Sequence, residues 1–161
     1  MARSGLKVIL FFVVIMQTLL AMGQGPKPYG PAVGVERAKK IAAAALAEAR
    51  KNNWFMAVAV VDPSGTLVYY EKMDNTQTGS ADVAIAKART AALYKRPSKV
   101  FQDMVAGGGS GLRILGLHNA VPIEGGIPLV DDGKIVGAIG VSGDSADHDS
   151  ICAQAGADAL K

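Results

Sequence analysis

From residue 35 onward the chain switches between two hydrophobic rhythms. Ile41, Ala42, Ala45, Leu46 and Ala49 recur at helical spacing, with Arg37, Lys40, Glu48 and Arg50 largely elsewhere, which predicts an amphipathic helix over 35–51. Then "FMAVAVVD", 55–62, is apolar on both faces and predicts a strand in the middle of a sheet. Pro63 and Gly65 supply a turn, and "TLVYYEKMD", 66–74, returns as a second strand, so the two form a β-hairpin. The helical rhythm resumes over 81–95, with Ala81, Ile85, Ala88 and Ala92 on one stripe and Ser80 as the expected N-cap.

Pro97 stops that helix, and "SKVFQDMV" predicts another short one. "AGGGSG", 106–111, reads as flexible, and "LRILGLHNAVPIE", 112–124, is ambiguous and partly strand. "GIPLV", "DDG" and "KIVGAIGVSG" read as strand, tight turn, strand. A last helix covers 146–160, with Asp144 as its expected cap and Asp147 and Asp149 in its first turn, where the helix dipole favours acids. Hairpins alternating with helices predict an α+β fold, an antiparallel sheet flanked by helices.

The first residues follow another rule. Arg3 and Lys7 precede the apolar run 8–20, and "AMG" at 21–23 offers the small residues a signal peptidase reads. Residues 1–23 are therefore expected to be a secretory signal peptide, and the protein secreted or periplasmic, with no stable membrane insertion after cleavage. The apolar run is shorter than the roughly 20 residues of a spanning helix. Residues 24–33 hold several prolines and glycines and are expected to be a linker or N-terminal arm before a single domain at 34–161.

The formal charge of the whole chain is +3; losing Arg3 and Lys7 with the signal peptide leaves +1. That makes no electrostatic case for nucleic acid. The single cysteine, Cys152, has no internal disulfide partner, so an exported domain must rest on its core or on oligomerisation.

Three glycine and serine patterns look like chemistry and fail on spacing. Gly137, Gly140 and Gly143 form G-x-x-G-x-x-G inside an apolar strand, not the strand–G-x-G-x-x-G–helix of a dinucleotide site, so they mark a bulge or a close backbone approach. "GGGSG" lacks the Lys-Ser/Thr of a phosphate loop, and neither Ser110 nor Ser142 completes a G-x-S-x-G elbow. "DHD" at 147–149 places its ligand atoms around a helix rather than on one ion, and His148 with Cys152 gives only two ligands on one face. His118 stands alone in an apolar stretch, as a core or interface histidine does more often than a ligand. Thr90 is expected to bond back to the carbonyl of Ala86.

"VAVVDPSGTLVYYEKMD", "AIAKARTAAL", "GGIPLVDDGKIVGAIGVSG" and "DHDSICAQAGADAL" together resemble the GlcG/HbpS family of haem-binding proteins, and the similar domain that ends PduO-type cobalamin adenosyltransferases. The resemblance spans about 33–160. It implies an antiparallel sheet of about five strands, a homo-oligomer, and, for an exported member, haem as cofactor near subunit contacts. It also implies that Thr90, in "KARTAA", is a ligand to haem iron. A neutral hydroxyl holds iron weakly, which suits sensing, buffering or transfer. Where other members use a histidine in the first helix, "VERAKKIAAAALAEAR" has none.

Two functions follow as expectations. In the first, an exported protein packs apolar residues on haem, with Thr90 at iron and Lys87 or Arg89 at the propionates, unless those two cations simply form a solvated helix face. In the second, a small catabolic-pathway enzyme or auxiliary protein binds an organic acid beneath Gly125 and Gly126, whose N–H groups cradle the anion, and His118, Glu124 or Asp82 transfers the proton.

Overall fold

The computed structural model describes residues 26–161; the predicted signal peptide, 1–23, lies outside the described residues. Helix α1 (Val35–Lys51) leads into strands β1 (Ala57–Val61) and β2 (Leu67–Lys72). Helices α2 (Ser80–Tyr94) and α3 (Ser98–Ala106) follow, then a 3₁₀ segment (Gly109–Gly116). Strands β3 (Gly126–Asp131) and β4 (Lys134–Ser142) and helix α4 (Ala146–Asp158) complete the chain.

The sheet has four strands in the order β2-β1-β4-β3, every neighbour antiparallel. The α+β class is as expected. The count of about five is corrected to four: the N-terminal arm reaches β4 but pairs with it only as a single bridge, Tyr29 to Ile135. Residues 112–124 are 3₁₀ and loop rather than strand.

Side chains alternate across β1 and divide the core in two. Val58 and Val60 join α1 and α4 in one cluster, with Ile41, Leu46, Ile139 and Ala153. Ala57, Ala59 and Val61 point the other way, onto Ala84, Ala88, Ala91 and Ala92 of α2. The result is three layers with β1 buried along its whole length. The inward stripe of α2 is thus 84, 88, 91 and 92: of the expected stripe Ala88 and Ala92 are in it and Ile85 packs at its side, while Ala81 is not part of it.

The α2 layer lies unusually close to the sheet because both surfaces lack bulk. A Cβ on Gly140 would overlap the Ala84 carbonyl oxygen, and one on Gly126, its partner across β3 and β4, would overlap the Lys87 carbonyl. The glycines of β4 therefore serve close approach, as the spacing predicted. The arm is less separate than expected of a linker: Val33 donates its N–H to Val136 O at 2.8 Å, and its side chain is only 3% exposed.

Two expected caps fall one residue away. Gly79 is the N-cap of α2, and Ser80 is instead buried, accepting from the Ser142 hydroxyl at 3.2 Å. Ser145 is the N-cap of α4, while Asp144 Oδ1 accepts the Ser145 N–H at 2.7 Å.

Candidate functional site

Helix α2 carries most of the chemistry. Its alanines bring one face against the sheet, which forces Lys87 and Thr90 inward while Arg89 stays exposed. Thr90 is 0% exposed. Its Oγ1 donates to the Ala86 carbonyl at 2.8 Å, as expected for a helical threonine, and lies 3.3 Å from Asn119 O. The same oxygen accepts the Val121 N–H at 2.8 Å. One hydroxyl thus pins the segment after the 3₁₀ turn onto the helix. Tyr94 adds a second pin, its hydroxyl donating to His118 O at 2.6 Å.

Beside these contacts lies a cavity of about 180 Å³, lined by Ala86, Arg89, Asn119, Ala120 and Val121. Arg89 is steadied at its rim by donating from Nε to Gly65 O at 3.1 Å. Asn119 holds a left-handed backbone, φ 57°, a conformation that asparagine tolerates better than most residues. His118, one residue earlier, is exposed, which removes the core half of the expected core-or-interface reading. So the structure places Arg89 in the lining of one small cavity, with Thr90 bonded to its lining residues Asn119 and Val121 and the exposed His118 next to Asn119 in the chain. Thr90 itself is not among the residues lining this cavity; its hydroxyl is engaged with Ala86 O, Asn119 O and the Val121 N–H.

Lys87 departs from its expected place. Its side chain is 1% exposed, neither a solvated face nor free to reach a propionate, and its Nζ donates to Asp149 Oδ2 at 2.6 Å. Burial pushes the Lys87 ammonium below its ordinary range, and the Asp149 contact pulls it partly back. Burial likewise pushes Asp149 above the usual carboxylate range, against the pull of Lys87 and of backbone N–H groups from Asp144 and Gly143. The pair joins α2 on one face of the sheet to the first turn of α4 on the other.

Gly125 makes room for it. With φ at +118°, a Cβ there would stand 2.9 Å from Asp149 Cβ and 3.0 Å from Lys87 Nζ. The Gly126 N–H is donated to Ser98 Oγ at 2.8 Å. The glycine turn is therefore filled from beneath by an ion pair and a serine, and is no open anion cradle. The three alternative proton-transfer residues, His118, Glu124 and Asp82, lie in different settings: His118 is exposed in the loop after the 3₁₀ segment. Asp82 sits in the first turn of α2, about 12 Å along the helix from Thr90. Glu124 is paired with Lys99 at 3.3 Å.

The "DHD" triplet also splits: Asp149 points inward, Asp147 is exposed, and His148 stacks on Trp54 with ring centroids 3.9 Å apart. Among the described residues no group of three or more His, Cys, Asp or Glu is placed to hold a metal. Cys152 is buried, and burial raises its thiol to about 12, with nearby Asp149 adding to the shift. It stays protonated and inert at neutral pH.

Sequence reasoning missed the buried pair. The signal was present: Lys87 shares the inward stripe with Ala84, Ala88 and Ala91, and Asp149 shares one with Cys152, Ala153 and Gly156.

A family model described as haem degrading protein HbpS-like matches residues 33–158. Protein GlcG of Escherichia coli strain K12 is 41% identical over 107 residues, which cover 66% of this chain and 78% of GlcG. A double mutant of HbpS from Streptomyces reticuli superimposes with a TM-score of 0.76 at 30% identity, covering 86% of this chain and 93% of that one. A PduOC–haem complex gives a TM-score of 0.72 at 28% identity, covering 80% and 94%.

Proposed function

The chain belongs to the HbpS-like family, and from that premise we propose that it is a haem-binding protein whose haem lies on the surface where α2 meets the segment 117–121. One observation carries this reading: a small cavity walled by Ala86, Ala120 and Val121, with the exposed Arg89 in its lining, lies beside Thr90, and the exposed His118 is next in the chain to its lining residue Asn119. A similar domain has been crystallised as a haem complex, which supports the cofactor.

The donors fit the group. Imidazole is the common protein donor to haem iron, so His118 is the assigned iron ligand. Arg89 has the forked geometry that pairs with a propionate carboxylate. Ala86, Ala120 and Val121 give an apolar wall for a ring edge. Thr90, which the family resemblance places at iron, acts here by fixing the segment that carries His118. A cavity of about 180 Å³ takes an edge of a porphyrin and leaves the rest outside. Haem held by one imidazole at the surface exchanges readily, which suits sensing, buffering or transfer.

The predicted signal peptide supports a secreted or periplasmic protein. A homo-oligomer also belongs to this reading. Val100, Met104, Leu112, Leu115, Leu117 and Ile123 are large hydrophobics left exposed on α3, the 3₁₀ segment and the loop after it, and a second copy covers them. That copy would also close over the outer part of the haem.

Titration of the protein with haemin, followed in the Soret region, tests the reading. We expect a saturable red shift at one haem per chain. His118→Ala weakens it roughly tenfold or more, the loss expected for one strong donor. Arg89→Ala weakens it less. An unshifted Soret band overturns the function, and a shift abolished by Thr90→Val but kept by His118→Ala returns the iron to Thr90.

A further inference from the structure

A second cleft lies where the N-terminal arm crosses β4. The arm is stitched down by backbone bonds: Ile135 N–H to Pro28 O at 2.9 Å, and Gly30 N–H to Ile135 O at 2.9 Å. Tyr29 reaches α2, its hydroxyl donating to Ala92 O at 2.9 Å. Between this arm, the end of α2 and the edge strand β3 is a cleft of about 370 Å³. Ile127, Pro128, Val130 and Ile135 give it an apolar floor, and the charged residues lining it are Lys27 and Lys95.

Both charges have the same sign. Among the described residues neither lysine has a carboxylate partner, and residues 1–25 contain no Asp or Glu that would supply one. Lys95 is also held in an unusual state. It is the C-cap of α2 with φ at 57°, a left-handed position that glycine fills without strain and lysine does not. Its ammonium sits 4.0 Å from the centroid of the Tyr29 ring, which fixes it at the cleft without neutralising it.

We propose that this cleft binds a small amphiphilic carboxylate, its chain or ring against Ile127, Pro128 and Val130 and its carboxylate between Lys27 and Lys95. The chemistry discriminates. A neutral apolar guest covers the floor but leaves two ammonium groups less hydrated and unpaired. An inorganic anion pairs with the lysines but leaves the floor in water. The cleft shares no lining residue with the cavity beside Thr90, so this assignment does not rest on haem binding.

Calorimetric titration with octanoate, octan-1-ol and inorganic phosphate is the test. Octanoate binds at one per chain, and octanol and phosphate bind at least tenfold more weakly. Lys95→Gly weakens octanoate roughly tenfold or more, the loss of one charge-assisted contact, while raising the melting temperature because it relieves the left-handed backbone. Lys27→Gln weakens octanoate without that rise. The haemin Soret titration is unchanged in both variants. Absence of octanoate heat, equal binding of octanol, or full octanoate affinity in both variants overturns the proposal. So does octanoate that acts only by splitting an oligomer in light scattering, since the cleft would then hold a second copy.

Discussion

Lys87 and Asp149 show how much one residue's setting decides. Each ion is buried, and burial moves both away from the charged form, while their 2.6 Å contact draws both back. Desolvation of two ions commonly exceeds what their attraction returns, yet removing only one leaves a bare buried charge. Lys87→Met should therefore cost about 3–5 kcal/mol in chemical denaturation, and adding Asp149→Leu should recover most or all of it. A single variant within about 1 kcal/mol of wild type would contradict this, since such losses are typical only of exposed pairs. At this scale the sequence was half legible. "KARTAA" pointed to Thr90 and Arg89, and the Thr90–Ala86 bond is present. That Lys87 points inward depends on where α2 touches the sheet, and that Asp149 meets it depends on a contact between residues 62 apart.

At the scale of elements, periodicity recovered the four α-helices of the described residues and both hairpins to within a few residues, because each has an apolar face to bury. The stretch 112–124 resisted. Its leucines and isoleucines look like a strand's, but much of that apolar surface faces outward and forms no ladder. The close seating of α2 on β4 gives the sharpest element-level prediction. Gly140→Ala would drive a methyl into the Ala84 carbonyl and crowd the backbone of Ala88, and neither backbone atom can swing aside. We expect a loss of about 3 kcal/mol, the upper range of overpacking, or failure to fold. Gly116→Ala, where a Cβ meets nothing within 4 Å, should leave the denaturation midpoint nearly unchanged. Equal midpoints for the two variants would refute the close-approach account of these glycines.

At the scale of the whole molecule, the sheet separates two kinds of surface. One face carries α1 and α4 over the larger apolar cluster. The other carries α2, and there the thin alanine layer lets Thr90 pin a loop that carries the exposed His118, next to a small cavity lined by the exposed Arg89. The family was legible because its glycine block encodes this close packing; the site was not, because the segment 118–121 meets Thr90 and Tyr94 only once the loop folds back. The central claim is the position of haem at this meeting point. Amide spectra of ¹⁵N-labelled protein with haemin, against gallium protoporphyrin as the diamagnetic control, test it most directly. Paramagnetic broadening should erase the signals of residues 118–121 and 86–90 first and spare Cys152 to Gly156 on the far face. Broadening centred on the Lys95 cleft, spread evenly, or absent would contradict the account.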